Sequence, residues 1–250
     1  MEKEHIVPGR FTPDVLDSLL AEASAIADAG QRIAFLSNTF LGLKYQESTL
    51  IGGEHSPEVF VINLQGVDCL TFIEYIEALR LSKSFSEFQT TLRSVRYESG
   101  VVSFSKRNHF FTDWIGNNKD FVRNVTGEIA ARMTKRVRKI LNVRDDGTFL
   151  LPGIQPVERE IAYVPSHEID DSVMNSLKTG DYIGIYSNVH GLDVSHVGIA
   201  IRDGETLFLR HASSQKEYKK VIDQDLTEYI LNKPGIIVLR PKEKNDKELV

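Results

Sequence analysis

A single cysteine, placed one residue after an aspartate where an extended apolar run turns helical, constrains this chain more than any other feature. The stretch is Val61-Ile62-Asn63-Leu64-Gln65-Gly66-Val67-Asp68-Cys69-Leu70-Thr71-Phe72-Ile73-Glu74-Tyr75-Ile76. Val59 to Leu64 reads as a strand, Gly66 as a turn and Asp68 as an N-cap. Cys69, Phe72, Ile73, Ile76 and Leu79 recur at helical spacing, so they share one inward face. Cys69 therefore stands in the first helical turn. Unpaired N–H groups there carry partial positive charge, which favours a thiolate and lowers the thiol pKa. A thiolate is an activated nucleophile. The alternative is an inert core cysteine, since free Cys packs as a small hydrophobe.

Before this stretch, Thr12-Pro13-Asp14 marks a helix start with proline at the first position. Leu16, Leu19, Leu20, Ala23, Ile26 and Ala27 follow at helical spacing, and Ile33 to Leu41 forms a second run that Gly42 stops. Gly42-Leu43-Lys44-Tyr45 turns the chain into Tyr45, which is either a core aromatic or a wall of the cleft beside Cys69. After the cysteine helix, Ser84-x-x-Glu87 matches a capping box. Val101 to Phe104 alternates weakly as a strand. Arg107-Asn108-His109-Phe110-Phe111-Thr112-Asp113-Trp114 sets rings beside amide, imidazole and carboxylate groups, a mixture that suits a sugar or peptide ligand. The same aromatics could instead pin a surface segment down. Asp120 to Leu141 reads as a long basic helix, and Asn142 to Ser166, with three prolines and two glycines, as loop with short extended pieces. The last ten residues are mostly charged and are expected to fray.

The C-terminal part is β-rich. Strands are predicted at Tyr182–Tyr186, His196–Arg202, Glu205–His211 and Ile236–Leu239, close together with short turns, which argues for an antiparallel sheet or small barrel. With helices first and strands after, the class is α+β. The 250 residues, 41% of them hydrophobic, suffice for one domain spanning 1–250. Within it lie N-terminal helices (12–42), the strand and cysteine helix (59–82), an insertion (84–141) and the sheet carrying the histidines (180–240). The net charge of −5 argues against a nucleic-acid partner. One cysteine excludes an intrachain disulfide, and no Cys/His spacing suggests a metal or other cofactor. No run of about 18 apolar residues is present, so no membrane span is expected. The N-terminus is not a signal peptide. The location is then periplasmic or cell envelope if a signal was removed before residue 1, and cytoplasmic otherwise. A monomer is expected.

The second informative feature is the hairpin Ser195-His196-Val197-Gly198-Ile199-Ala200-Ile201-Arg202-Asp203-Gly204-Glu205-Thr206-Leu207-Phe208-Leu209-Arg210-His211. Asp203-Gly204 is a preferred two-residue turn. Counted outward from it, Arg202 faces Glu205 and His196 faces His211. Opposed residues share a face with Cβ atoms about 4.5–5.5 Å apart, close enough for the imidazoles to bond. His196 as base and His211 as orienter would complete a nucleophile–base–orienter set with Cys69. A bulge would break the register, and His190 or His109 could be the third member instead. A metal half-site is a further alternative.

Asp68-Cys69 at a helix start, Ser195-His196-Val197-Gly198-Ile199 on a strand and a polar residue on the next strand resemble the NlpC/P60 cysteine peptidase superfamily. More narrowly, the chain resembles the DUF1460 amidases. The pieces carrying this are Val61 to Cys69, Ser105 to Ile115, Gly191-Leu192-Asp193-Val194-Ser195-His196-Val197-Gly198 and His211-Ala212-Ser213-Ser214. The resemblance implies a papain-like core with the cysteine helix packed on an antiparallel sheet or barrel, preceded by N-terminal helices and bearing a helical insertion. It implies cleavage of the amide between N-acetylmuramic acid and L-alanine in muropeptides, as in cell-wall recycling, with Cys69, His196 and His211 as the catalytic residues. Tyr45, Asn108, His109, Trp114 and Asp193 are the expected substrate-binding residues, with Asn108 to Trp114 on the sugar side. A γ-D-glutamyl–diamino-acid endopeptidase is the enzymatic rival, and a non-catalytic peptidoglycan-binding module the rival of another class. The family often has Gly-Thr-Pro-Tyr where this chain has Gly42-Leu43-Lys44-Tyr45, and Thr where it has Leu70.

Overall fold

The computed structural model describes residues 4–243, so most of the charged tail lies outside the described residues. In chain order the elements are β1 (Glu4–Val7), α1 (Pro13–Ser24), α2 (Ala29–Asn38), β2 (Lys44–Tyr45), β3 (Ile51–Gly53), β4 (Ser56–Asn63), β5 (Gly66–Val67), α3 (Cys69–Leu81), α4 (Phe85–Arg96), α5 (Phe111–Asn117), β6 (Val122–Asn124), α6 (Thr126–Ala130), β7 (Lys135–Leu141), β8 (Val157–Pro165), α7 (Asp171–Ser176), β9 (Tyr182–Tyr186), β10 (Val194–Asp203), β11 (Thr206–Ala212), β12 (Val221–Asp225), α8 (Leu226–Ile230) and β13 (Gly235–Pro241). Short polar side chains start the first four helices. Thr12, Asp28, Asp68 and Ser84 each accept a backbone N–H three residues on, satisfying a donor that the helix cannot.

The main sheet runs β12-β11-β10-β9-β13-β8-β7, with β6 also paired to β13, and every pairing is antiparallel. The class is thus α+β, as expected. The central strands are apolar on both faces because both faces are covered. Tyr182, Val197, Ile199, Ile237 and Leu239 pack with α1 to α4 on one side. Ile183, Ile185, Ala200, Leu209, Ile236 and Val238 pack with Val125, Val173, Leu177, Leu226 and Ile230 on the other.

α3 lies deeper than an amphipathic reading implies. Thr71 to Arg80 are all buried, including Glu74, Glu77 and Arg80. Each charge finds a partner. Glu74 pairs with Arg96 of α4 at 2.7 Å, and the Arg96 guanidinium also donates to the Val61 carbonyl at 2.6 Å. Arg80 donates to Glu77 at 2.8 Å, and the Tyr182 hydroxyl donates to the same carboxylate at 2.6 Å. These bonds lock the cysteine helix to α4 and to the sheet.

Three expectations are corrected. Asp120 to Leu141 is not a long helix but contains β6, α6 and β7. Along β7, Val137, Lys139 and Leu141 turn inward while Arg136, Arg138 and Ile140 stay exposed, a period of two, and the strand pairs with β8 from Lys135↔Tyr163 to Leu141↔Val157. Residues 84–141, expected to form a helical insertion, are therefore helical only in part and end in the strand β7. The stretch 142–166 is loop as far as Pro156, but its extended piece is not short: it is the nine-residue β8. Val101 to Phe104 forms no strand.

Candidate active site

The start of α3 is fixed by reciprocal bonds. The Thr71 N–H donates to Asp68 Oδ1 at 2.8 Å, and the Asp68 N–H donates to the Thr71 hydroxyl at 3.0 Å. Cys69 follows directly. The backbone N–H groups of Val197, of Cys69 itself and of Leu70 favour the charged form of its sulfur. Val197 follows His196 on β10, so the thiol lies against the strand that carries the histidine. Burial pushes the thiol up to about 12 and the Asp68 carboxylate adds to this, while the three N–H groups oppose. The expected depressed thiol is thus corrected: lost hydration outweighs the helix-start N–H groups.

His196 Nε2 lies 2.7 Å from His211 Nδ1, with the rings at 89°. The register differs from the sequence reading. Asp203 pairs with Thr206, so the turn is Gly204-Glu205, and the ladder runs from there to Ile199↔Arg210. Continued one step, it sets Gly198 opposite His211 and leaves His196 on the diagonal. Both histidines keep one face because a slip of two residues preserves side-chain direction. Gly198 makes the diagonal possible. A Cβ there would meet Leu209 Cδ1 at 2.7 Å, the Arg210 carbonyl oxygen at 2.9 Å and His211 Cβ at 3.0 Å.

The chain of side chains continues past His211. Its Nε2 lies 2.7 Å from Gln224 Oε1 on β12. Because His211 pairs with Ile222, Gln224 is again one diagonal on, and the three residues step across three adjacent strands. The sequence reading missed Gln224 because Val221–Asp225 was not recognised as a strand. Its alternation of Ile222 and Gln224 against Val221 and Asp223 was the available signal. The Tyr229 ring of α8 stands edge-on to His211, 5.1 Å between centroids, and the Lys233 ammonium lies 5.1 Å over the Tyr229 ring. Burial, with help from His211 and Lys233, pushes His196 down to about 3. Burial pushes His211 down to about 4 against the pull of Gln224. Both imidazoles are therefore neutral near pH 7. A metal half-site does not fit: the histidines bond each other, and among the described residues no group of three or more His, Cys, Asp or Glu could hold an ion.

A family model described as AmiA-like, N-acetylmuramoyl-L-alanine amidase-like, matches residues 35–236, which includes all of these positions. The chain belongs to that family. Solved structures resemble this amidase-like protein over most of its length. A DUF1460-family protein of Legionella pneumophila is 23% identical, covers 93% of this chain and 95% of its own, and superposes with a TM-score of 0.77. An N-acetylmuramoyl-L-alanine amidase from Bacteroides uniformis is 30% identical over 86% of this chain and 99% of its own, TM-score 0.72. A second B. uniformis structure of that name gives 27% identity and a TM-score of 0.71 over the same shares. No curated protein matches the sequence. The DUF1460 resemblance read from the residues agrees with these findings.

The residues expected to bind substrate in this amidase-like protein fall into two groups. Tyr45 is half-buried against the core, and its hydroxyl is pushed up to about 12 by burial and then by Cys69, so it lies within electrostatic reach of the thiol. The others are committed to the fold. Asn108 is 1% exposed, donates to the Val95 carbonyl at 3.0 Å and accepts from Asn117 at 2.7 Å. Trp114 is 0% exposed and packs between Phe111 and Tyr182. His109 is half-buried, bonded to the Phe104 carbonyl at 2.7 Å and edge-on to the Phe104 ring. Asp193 is buried and accepts from the Thr112 N–H at 2.7 Å in the first turn of α5 and from the Val194 N–H at 2.7 Å. The sugar-side expectation is thus corrected for Asn108 and Trp114, and the substrate role for Asp193, because side chains sealed in the interior offer a ligand no surface.

Proposed function

We propose that the protein hydrolyses the amide between the lactyl group of N-acetylmuramic acid and L-alanine in muropeptides, with Cys69 as nucleophile and His196 as base. The observation that carries this is the thiol at the α3 start lying against the strand of a His196–His211–Gln224 chain whose two contacts are 2.7 Å each. The name of the B. uniformis neighbours and the family description supply the bond. The NlpC/P60-type papain-like core belongs to the same reading: a cysteine helix, α3, packed on the antiparallel strands β10 and β11.

His196 Nε2 is occupied by His211, so Nδ1 takes the thiol proton. The resting pair is thiol and neutral imidazole. Separating charge is unfavourable for either group alone, but the two charges form together and attract each other at short range. The sulfur attacks the lactyl carbonyl carbon. The Cys69 N–H at the helix start and the neutral Tyr45 hydroxyl are the donors for the oxyanion. His196 returns the proton to the leaving alanine nitrogen, and water then cleaves the thioester with His196 again as base. A γ-D-glutamyl endopeptidase would use the same atoms on another bond, and a binding module would need none of them. Mass spectrometry of products from a defined N-acetylmuramyl tripeptide tests the reading. Free N-acetylmuramic acid with intact tripeptide is expected, whereas an N-acetylmuramyl dipeptide with a released diamino acid would transfer the assignment to the endopeptidase.

A further inference from the structure

We infer that Gln224 is a positioning residue that decides which nitrogen of His196 stays free for the thiol. The inference rests on Cys69 and His196 being the reacting pair; the geometry behind it involves no substrate. His196 Nε2 and His211 Nδ1 are 2.7 Å apart, and His211 Nε2 and Gln224 Oε1 are 2.7 Å apart. A neutral imidazole has one N–H and one lone pair. An amide oxygen has no proton to give, so His211 donates from Nε2 and accepts at Nδ1. His196 must then donate from Nε2, and its lone pair falls on Nδ1. An amide oxygen two strands away thereby sets the tautomer of the base. The reversed amide would do the opposite. An NH2 aimed at His211 would make Nε2 accept, move the His211 proton to Nδ1 and leave His196 protonated at Nδ1, where it cannot take a proton from Cys69.

The surroundings hold the strand that carries this amide in place. β12 is paired to β11 from Phe208↔Asp225 to Ala212↔Val221. Next to Gln224, the Asp223 carboxylate accepts two bonds from Arg210 at 2.8 and 2.7 Å, and Arg210 reaches on to the Ala34 carbonyl and the Ser37 hydroxyl of α2. Gln224 lines an open cavity of about 430 Å³ with Gln215, Tyr218 and Tyr229, which leaves solvent for its NH2. The charged or titratable groups around the two imidazoles are Cys69 with Asp68 on α3, Asp223 on β12, Tyr229 on α8 and Lys233.

The test reads imidazole ¹⁵N shifts in labelled, substrate-free enzyme between about pH 6 and 9, where neutral rings are expected. Nε2 of both His196 and His211 should be protonated and Nδ1 of both should carry the lone pair. In Gln224→Leu, His196 should populate both tautomers. Its kcat should fall about ten- to hundred-fold with KM within about two-fold and the melting temperature unchanged. Gln224→Glu keeps an acceptor but draws a second proton onto His211, which then donates from Nδ1. The acidic limb of kcat should therefore move to higher pH, with activity returning above it. A wild-type spectrum with the proton on Nδ1 of His196 overturns the inference, as does a leucine variant with unchanged tautomers and kcat. If that variant does not fold, the wild-type spectrum and the glutamate variant decide. Because the spectra involve no substrate, a failed muropeptide assay and a failed tautomer assignment are separate results.

Discussion

Two buried polar networks meet around α3. Glu74–Arg96 and Glu77–Arg80–Tyr182 are built from charges. Burial works against the Arg96 charge and is the largest single influence, but Glu74, Tyr75 and Tyr97 together outweigh it and the guanidinium pKa rises. His196–His211–Gln224 is built from neutral groups whose pKa values burial pushes down. The first network holds its protons fixed and anchors the helix. The second is a line of alternating donors and acceptors in which a proton gained at one end is met by an oriented partner. Similar burial thus serves an anchor in one place and, in the proposed mechanism, a base in the other. What separates them is whether the partners carry opposite charges.

The comparison can be broken most severely at the thiol. Cys69→Ala should lower kcat by about 10⁴-fold or more while thermal unfolding stays at the wild-type midpoint. Full turnover in that variant would end the covalent mechanism. Removing one partner of the charged network should act the other way round. Arg96→Met leaves Glu74 buried and unpaired and should cost about 3–5 kcal/mol in urea unfolding, with kcat per folded molecule close to wild type. His211→Asn should do the converse, losing about 10²-fold in kcat for less than about 1.5 kcal/mol of stability.

A pH scan of stability sharpens the contrast. His109, His196 and His211 have folded-state values of about 4, 3 and 4 against the usual 6.5. The unfolded chain binds their protons first, so stability should be full above about 6.5 and lost as pH falls towards 4. The Cys69 thiol is raised from 9.0 to about 12, so stability should fall again as pH rises from 9 towards 12. Replacing His196 and His211 by asparagine should shrink the acid loss. A curve unaltered by both changes would mean that the imidazoles are not held neutral. Iodoacetamide should label Cys69 slowly at pH 7 and faster towards alkaline pH. The smallest effect is expected at Asn108. Asn108→Ala should cost about 1 kcal/mol for its lost bonds, since the Val95 carbonyl keeps the Asn118 amide and the exposed Asn117 amide can turn to water. It should leave the ratio of kcat/KM for sugar-bearing and sugar-free substrates unchanged, and a selective loss on the sugar-bearing one would restore a ligand role.

What the sequence showed depended on the distance over which its signals act. The α3 start was legible because its cap, Asp68 with Thr71, spans three residues. The shared face of His196 and His211 was legible although the turn was misplaced, because the error was an even number of residues. β7 was misread because Lys135-Arg136-Val137-Arg138-Lys139-Ile140-Leu141 is rich in good helix formers, and its strand identity comes from a partner that begins at Val157. Asn108 and Trp114 were misassigned because polar and aromatic side chains look alike in sequence whether they seal an interior or receive a ligand. Only their 1% and 0% exposure separates the two uses.

The β10–β11 hairpin keeps its chemistry at one end and its turn at the other. From Asp203 back to His196 the strand covers about 23 Å. Gly204, at a φ of +57°, sits where an added side chain would touch nothing. Lengthening the loop there raises closure entropy only logarithmically. The tip is therefore a grafting point: a fluorophore, an affinity handle or a whole second module could be carried there, reporting on or tethering the enzyme without entering its reaction zone.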